Sequence, residues 1–276
     1  MKTNKIVTPL KIALLGLTTV LAATSAQADV LSDVKSKGEL IIGTELHFAP
    51  FDFLDNGKHA GLNKDFFTEV GKELGVKISY VDLPWPSVLP GLEASKFDMV
   101  GGPVTITKER MKRYNFSLPI ADASVALLKR KGNSAVTKPE DIAGKPVGAG
   151  KGSSQAAQLE DFSTSLETPA EIKLYVDNNS AYSEIMTGRV VAVANSLPNI
   201  AYVASQHKNF EVVLPPFGKK TYYGYVTRKN TDSESLLKAI NDIIVKMKAD
   251  GRMEDIQVKW FGNPMDLPTD MIVPQI

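Results

Sequence analysis

From Glu39 onward, short apolar runs fit for buried strands alternate with longer segments whose apolar residues recur at helical spacing. This alternation limits the fold more than any other feature, because strand, helix and strand in succession build a parallel α/β sheet with helices packed on it. Glu39–Thr44 reads as a buried strand. The segment Lys64–Leu74 reads as a helix capped by Asn63, with Phe66, Phe67, Val70 and Leu74 on one face and Gly75 at its end. Lys77–Asp82 is a strand, Val88–Ala94 a short helix, Phe97–Val100 a strand, and Thr107 caps a helix over Lys108–Arg113. A second set follows Pro119: strands at Asp122–Lys129, Pro146–Ala149, Ile172–Tyr175 and Val190–Ala194, with helices at Ser154–Ser163, after a cap at Asn179, and at Pro198–Ser205. Phe210–Leu214 and Tyr222–Thr227 are extended. They lead to the strongest amphipathic helix, Ser233–Asp250, whose stripe is Leu236, Leu237, Ile240, Ile243, Ile244 and Met247. A short helix ends at Gly262, and a proline-bearing tail follows as a strap or loose end. Two α/β units of about a hundred residues each account for the pattern.

The N-terminal stretch belongs to neither unit. Lys2, Lys5 and Lys11 precede the uncharged apolar run Ile12–Ala23, and Ala26-Gln27-Ala28 follows it. A basic region, an apolar region and a small-x-small site read as a signal peptide over 1–28, cleaved after Ala28. The apolar run is shorter than the roughly 20 residues that span a bilayer. Three lysines leave with it, so the slight positive balance of the full chain, 32 Lys+Arg against 31 Asp+Glu, becomes slightly negative. That balance argues against nucleic acid as a partner, since counterion release needs a clustered basic surface. The absence of cysteine removes disulfides, thiolate nucleophiles and cysteine-bound metals.

Reactive groups at workable spacing are missing too. His47, His59 and His207 are scattered without metal-ligand spacing, so no metal is expected. Gly148-Ala149-Gly150-Lys151-Gly152-Ser153, between a strand and a helix, lacks the spacing of a dinucleotide fingerprint, and no P-loop or nucleophile elbow occurs. No cofactor is expected. What the glycines do offer is backbone N–H groups at a helix N-terminus, which suits a small anion.

Eight local patterns, in order over Gly38 to Gly262, resemble the polar amino-acid class of bacterial periplasmic solute-binding proteins, the family 3 receptors of ABC importers. They are Gly43-Thr44 with Ala49-Pro50-Phe51-Asp52-Phe53; Gly61-Leu62-Asn63-Lys64-Asp65 leading to Glu73-Leu74-Gly75-Val76; Trp85 with Leu89-Pro90-Gly91-Leu92; and Lys96-Phe97-Asp98. They continue with Val104-Thr105-Ile106-Thr107-Lys108-Glu109-Arg110; Asn115-Phe116-Ser117 with Pro119; Ala143-Gly144-Lys145-Pro146-Val147; and Lys259-Trp260-Phe261-Gly262. The resemblance implies the type II periplasmic-binding-protein fold, two α/β lobes joined by a two-strand hinge. Lobe 1 would comprise 29–119 and 224–276, and lobe 2 would comprise 120–223. It further implies a monomer in the periplasm that binds an amino acid or derivative with a carboxylate, closes around it, and meets an inner-membrane ABC permease. Because closure selects a pre-existing state, a change that favours the open hinge is expected to weaken affinity without touching a ligand contact.

By the same resemblance, Arg110 holds the ligand carboxylate; a guanidinium offers two parallel N–H bonds and stays charged. Thr105 offers its N–H and hydroxyl, Pro103 a backbone carbonyl, and Ser153 and Ser154 the amides of the lobe-2 turn. Phe48 and Trp85 form aromatic walls, and Glu45 faces the ligand side chain. The sequence departs from the family at Ser196 and Val191, where acids are usual. A buried ammonium without a carboxylate costs roughly several kcal/mol, so either Glu45 supplies the charge or the ligand lacks a free α-ammonium. The alternative is a periplasmic enzyme on this fold, similar to cyclohexadienyl or arogenate dehydratases; it needs a well-placed cleft acid, and only Glu45 is available, so no catalysis is expected. A membrane sensor would need an anchoring helix, and no run after residue 28 is apolar enough to be one.

Overall fold

A computed structural model describes Met1 and residues 29–276; the expected signal peptide and its cleavage site lie outside the described residues. Helix α1 (Val30–Lys37) leads into β1 (Glu39–Thr44), a hairpin of β2 (His47–Phe48), β3 (Asp52–Asp55) and β4 (Lys58–Ala60), then α2 (Leu62–Leu74), β5 (Lys77–Asp82), α3 (Trp85–Glu93), β6 (Met99–Thr105), α4 (Lys108–Arg113) and β7 (Tyr114–Phe116). The chain crosses over through β8 (Ala121–Asp122) to β9 (Val125–Arg130), β10 (Pro146–Gly150), α5 (Ser154–Thr164), β11 (Glu171–Tyr175), α6 (Asn178–Thr187), β12 (Ala192–Ser196), α7 (Leu197–Gln206) and β13 (Phe210–Phe217). It returns by β14 (Tyr222–Arg228) to α8 (Glu234–Ala249) and α9 (Arg252–Phe261).

Two mixed sheets result, in the orders β5-β1-β6-β14-β7 and β11-β10-β12-β9-β13, with β8 also paired to β14. The alternation predicts parallel sheets. In each, the strands laid down by strand–helix–strand units are parallel, β5-β1-β6 and β11-β10-β12. The strands beside the crossings run the other way: β14 is antiparallel to β6, β7 and β8, and β9 to β12 and β13. A chain that passes from one sheet to the other and back arrives with its direction reversed. Pairing changes sheets within 123–124 and 218–221.

Each lobe has its own core. On the first sheet, Leu40, Ile42, Phe66, Phe67, Tyr225 and the α8 stripe of Leu236, Ile240, Ile243, Ile244 and Met247 pack together; Leu237 is only partly covered. The second sheet carries aliphatic clusters on both faces, around Val147 and Leu159 and around Val193 and Ile200.

Several helix ends form as their sequences dictate. Thr107 accepts the amide of Arg110 at 3.1 Å, and Gly75 closes α2 in the left-handed region. Two caps differ from expectation. Asn63 lies inside α2, buried between the Asp52 carboxylate and the Tyr225 hydroxyl, which donates to it at 2.9 Å. At α6 the cap is Asp177, which accepts from the amides of Asn179 and Ser180. The strand expected over Val190–Ala194 sits two residues later, as β12. The tail after α9 is a strap: Ile272 packs against the lobe-1 core, and the Ile276 carbonyl accepts from the Lys108 amide at 2.7 Å.

Candidate functional site

The carboxyl ends of β1, β6, β10 and β12 converge between the lobes, the place where open α/β sheets leave a crevice. A cavity lined from both lobes lies there. The lobes touch around it. Trp85, the first residue of α3, donates its Nε1–H to the Gly152 carbonyl at 3.2 Å, and Gln155 of α5 donates to the Tyr223 hydroxyl at 2.7 Å. Outside the cavity, the Asn199 amide on α7 donates to the Ala49 carbonyl.

Seven residues singled out in the sequence line this one space: Glu45, Phe48, Trp85, Pro103, Thr105, Arg110 and Ser153. Arg110 projects from α4, the helix that follows β6 at once. Its guanidinium donates to the Thr105 carbonyl at 3.2 Å and, across the lobes, to the Gly152 carbonyl at 3.5 Å, and it lies 5.3 Å from the centre of the Trp85 ring. Among the described residues it has no carboxylate partner, and burial pulls its pKa down to about 10. Ser153 caps α5, accepting from the Ala156 amide at 3.0 Å. The amides of Ser154 and Gln155, first in that helix, have no acceptor within it. A desolvated guanidinium beside a helix N-terminus is an arrangement that favours negative charge.

Phe48 stacks on Phe51 at 5.6 Å and meets Tyr223 edge-on at 6.2 Å, so one aromatic wall is held by the first lobe's core. Glu45, immediately after β1, is 8% exposed and accepts the Trp85 amide. Burial, then the charges of Asp177, Asp82 and Asp52, push its pKa up to about 8.

The two remaining predicted residues sit elsewhere. Ser154 is 8% exposed and borders the adjoining groove of Lys108 and Lys219, with its hydroxyl buried. Ser196 is fully buried behind the wall, beside the Tyr223 hydroxyl. Its neighbour Asn195 reaches the cavity instead, because adjacent strand residues point to opposite faces. Asn195 is tied by its amide to Asn178 at 3.1 Å and to the Tyr182 hydroxyl at 2.8 Å. Asn178, Asn195, Gln155, Thr44 and Tyr223 line the site and were not singled out. Apart from Tyr223, near the start of β14, they share a signal, a polar residue near a strand's carboxyl end or in a helix's first turn, which becomes useful only once the strand ends are placed.

The family model of the bacterial extracellular solute-binding proteins, family 3, matches residues 40–263. A protein named L-cystine-binding protein TcyJ, from Escherichia coli K12, is 32% identical over 240 residues, covering 86% of this chain and 88% of that one. Among solved structures, an ancestral arginine-binding protein bound to arginine is 33% identical, covers 82% of this chain and 99% of its own, and superposes with a TM-score of 0.75. An ancestral amino acid-binding protein, AncCDT-1, described as a precursor of cyclohexadienyl dehydratase, is 31% identical, covering 85% and 100%, with a TM-score of 0.76.

Proposed function

The chain belongs to the family 3 bacterial extracellular solute-binding proteins, and on that premise we propose that it is the periplasmic receptor of an ABC importer, closing on an amino acid or amino-acid-like carboxylate. The observation that carries this reading is Arg110, buried without an acid partner beside the α5 N-terminus and in the same cavity as Glu45. The ligand carboxylate docks on the guanidinium and the free α5 amides, with Thr105 and Pro103 alongside. Phe48 and Trp85 sandwich its body, and Glu45 takes its basic end. No acid stands on the lobe-2 wall, where Asn178 and Asn195 present amides, so Glu45 is the only carboxylate lining the cavity among the described residues.

Family and relatives are transport binding proteins, and one cavity acid gives no acid–base pair for turnover. The dehydratase alternative is not favoured. In this reading the lobes divide the chain as 29–119 with 224–276 and 120–223, the protein is a monomer, and an inner-membrane permease reads its closed shape. Export by the signal peptide over 1–28 completes it: protein recovered from a periplasmic extract is expected to begin at Asp29 by mass spectrometry.

A thermal-shift screen tests the ligand class, since specific binding raises apparent stability. Amino acids and small carboxylates with a basic end should raise the unfolding temperature; a shift with neutral sugars alone would overturn the reading. Closure is tested at Asn199. Asn199→Ala removes the bond to the Ala49 carbonyl, outside the cavity, together with the acceptor of the Tyr182 hydroxyl, and should lower affinity by about three- to tenfold for the interlobe bond alone, the worth of roughly one hydrogen bond. Small-angle scattering of the saturated variant should show more of the open form. Unchanged affinity would remove this contact from the closure mechanism.

A further inference from the structure

Glu45 is surrounded by charges of its own sign. On the cavity wall and only 8% exposed, its carboxyl feels the charges of Asp177 at the α6 cap, Asp82 at the end of β5 and Asp52 on β3. Asp52 is engaged by His59 at 2.7 Å and by Asn63; Asp177 by the α6 amides, with His47 nearby; Asp82 by the Leu46 amide at 3.0 Å. From α6 the Tyr182 phenol also faces it, and from α3 the Trp85 amide. Arg110 and Lys151 line the same cavity, but no Lys, Arg or His among the described residues is within ion-pair reach of Glu45. A carboxyl so placed has no cation to hold it ionised.

We propose that ligand capture is a proton exchange: a basic nitrogen at the end of the ligand facing Glu45 takes the place of a proton that this carboxyl carries in the ligand-free protein. The inference deepens the proposed function and rests on it. In the step, the Glu45 O–H bond breaks and its proton passes to solvent. The ligand's ammonium or guanidinium keeps its own protons and donates a hydrogen bond to the carboxylate so formed. No bond of the ligand changes.

The pH dependence has a definite sign. Without ligand the carboxyl ionises near pH 8, and a bound cation pulls that value far down. Affinity for a basic ligand should therefore climb by about tenfold per pH unit from pH 6 toward pH 8 and level off above. Two nitrogens offer the same chemistry, an α-ammonium and a basic side chain. L-Arginine carries both, L-citrulline only the first, and Nα-acetyl-L-arginine only the second.

Isothermal titration of the purified protein at pH 7 in phosphate, HEPES and Tris separates these cases. With L-arginine, the binding heat should vary with the buffer's heat of ionisation, with a slope near one proton released. Glu45→Gln should bind more weakly with a slope near zero. Whichever of the other two probes retains the slope identifies the nitrogen that meets Glu45. Binding by wild type with buffer-independent heat, or an undiminished slope in Glu45→Gln, would overturn the exchange and leave the amino-acid reading standing. If none of the three probes bound, the exchange with a basic nitrogen would fall, while the amino-acid reading would stand or fall by the thermal-shift screen. Should the variant not fold, wild type suffices: an L-arginine affinity flat between pH 6 and pH 8 overturns the exchange.

Discussion

Replacing Arg110 with methionine is expected to weaken capture of an amino-acid ligand by roughly thirtyfold or more, while the ligand-free protein unfolds at an unchanged or higher temperature. The first half follows from what the carboxylate would lose. Truncating one member of a desolvated, hydrogen-bonded charge pair costs about 2–5 kcal/mol, which spans about thirtyfold to several thousandfold in affinity. The second half follows from what Arg110 lacks. Its protein partners are two backbone carbonyls and the Trp85 ring, with no acid among them. Burial holds its pKa down to about 10, so folding disfavours its charged form, and at neutral pH that is a cost to stability which methionine removes. Titration calorimetry and a melting curve of the ligand-free variant check the two halves. A fall of several degrees with affinity retained would make Arg110 a structural residue.

Gly61→Ala should damage the fold itself, by about 3–5 kcal/mol. Gly61 precedes α2 with φ 130° and ψ 171°, a region open essentially to glycine alone, at a cost of roughly 1–3 kcal/mol for any other residue. An added Cβ would also stand 2.2 Å from the Phe51 carbonyl oxygen, and relieving such overlap costs about 1–3 kcal/mol more. The clash cannot relax cheaply. The Leu62 and Asn63 amides donate to the Pro50 and Phe51 carbonyls at 2.9 and 3.1 Å, so α2 begins docked on the very backbone that must move. Since Phe48 lies just before that backbone, ligand affinity should drop along with the urea midpoint. Gly57→Ala is the control. At φ 77° with nothing within 4 Å of a Cβ, it should cost about 1–2 kcal/mol. Equal losses at the two positions would refute the packing argument.

Much of this architecture can be read locally. The β1 strand, the Thr107 cap and the α8 stripe depend on neighbours within a few turns, and all three form as their spacing dictates. Asn63 shows where such reading stops. Its side chain could serve a helix start, but Asp52 and Tyr225 draw it inward, and Tyr225 stands 162 residues away. Hairpin β2–β4 leaves little pattern because its strands are two to four residues long.

The cavity divides the same way. Arg110, Glu45 and Trp85 stand in local motifs and line it together. Ser196 and Asn195 exchange places because a one-residue offset turns a strand's side chains to the opposite face. The Gln155–Tyr223 bond joins the second lobe's helix to the returning strand across 68 residues, a pairing that no local pattern encodes.

The position of β14 also bears on the order in which the molecule can be assembled. A ribosome delivers β1, β5, β6 and β7 early, yet β6 and β7 do not pair with each other; each pairs with β14, made only after the whole second sheet, β9 to β13, has emerged. The second lobe can therefore complete its sheet while the first still waits with an open slot between two strands. Unpaired strand edges recruit other chains, so the chain carries an exposed slot from the end of β7 until β14 follows the whole second sheet, and the last quarter of the sequence seals it.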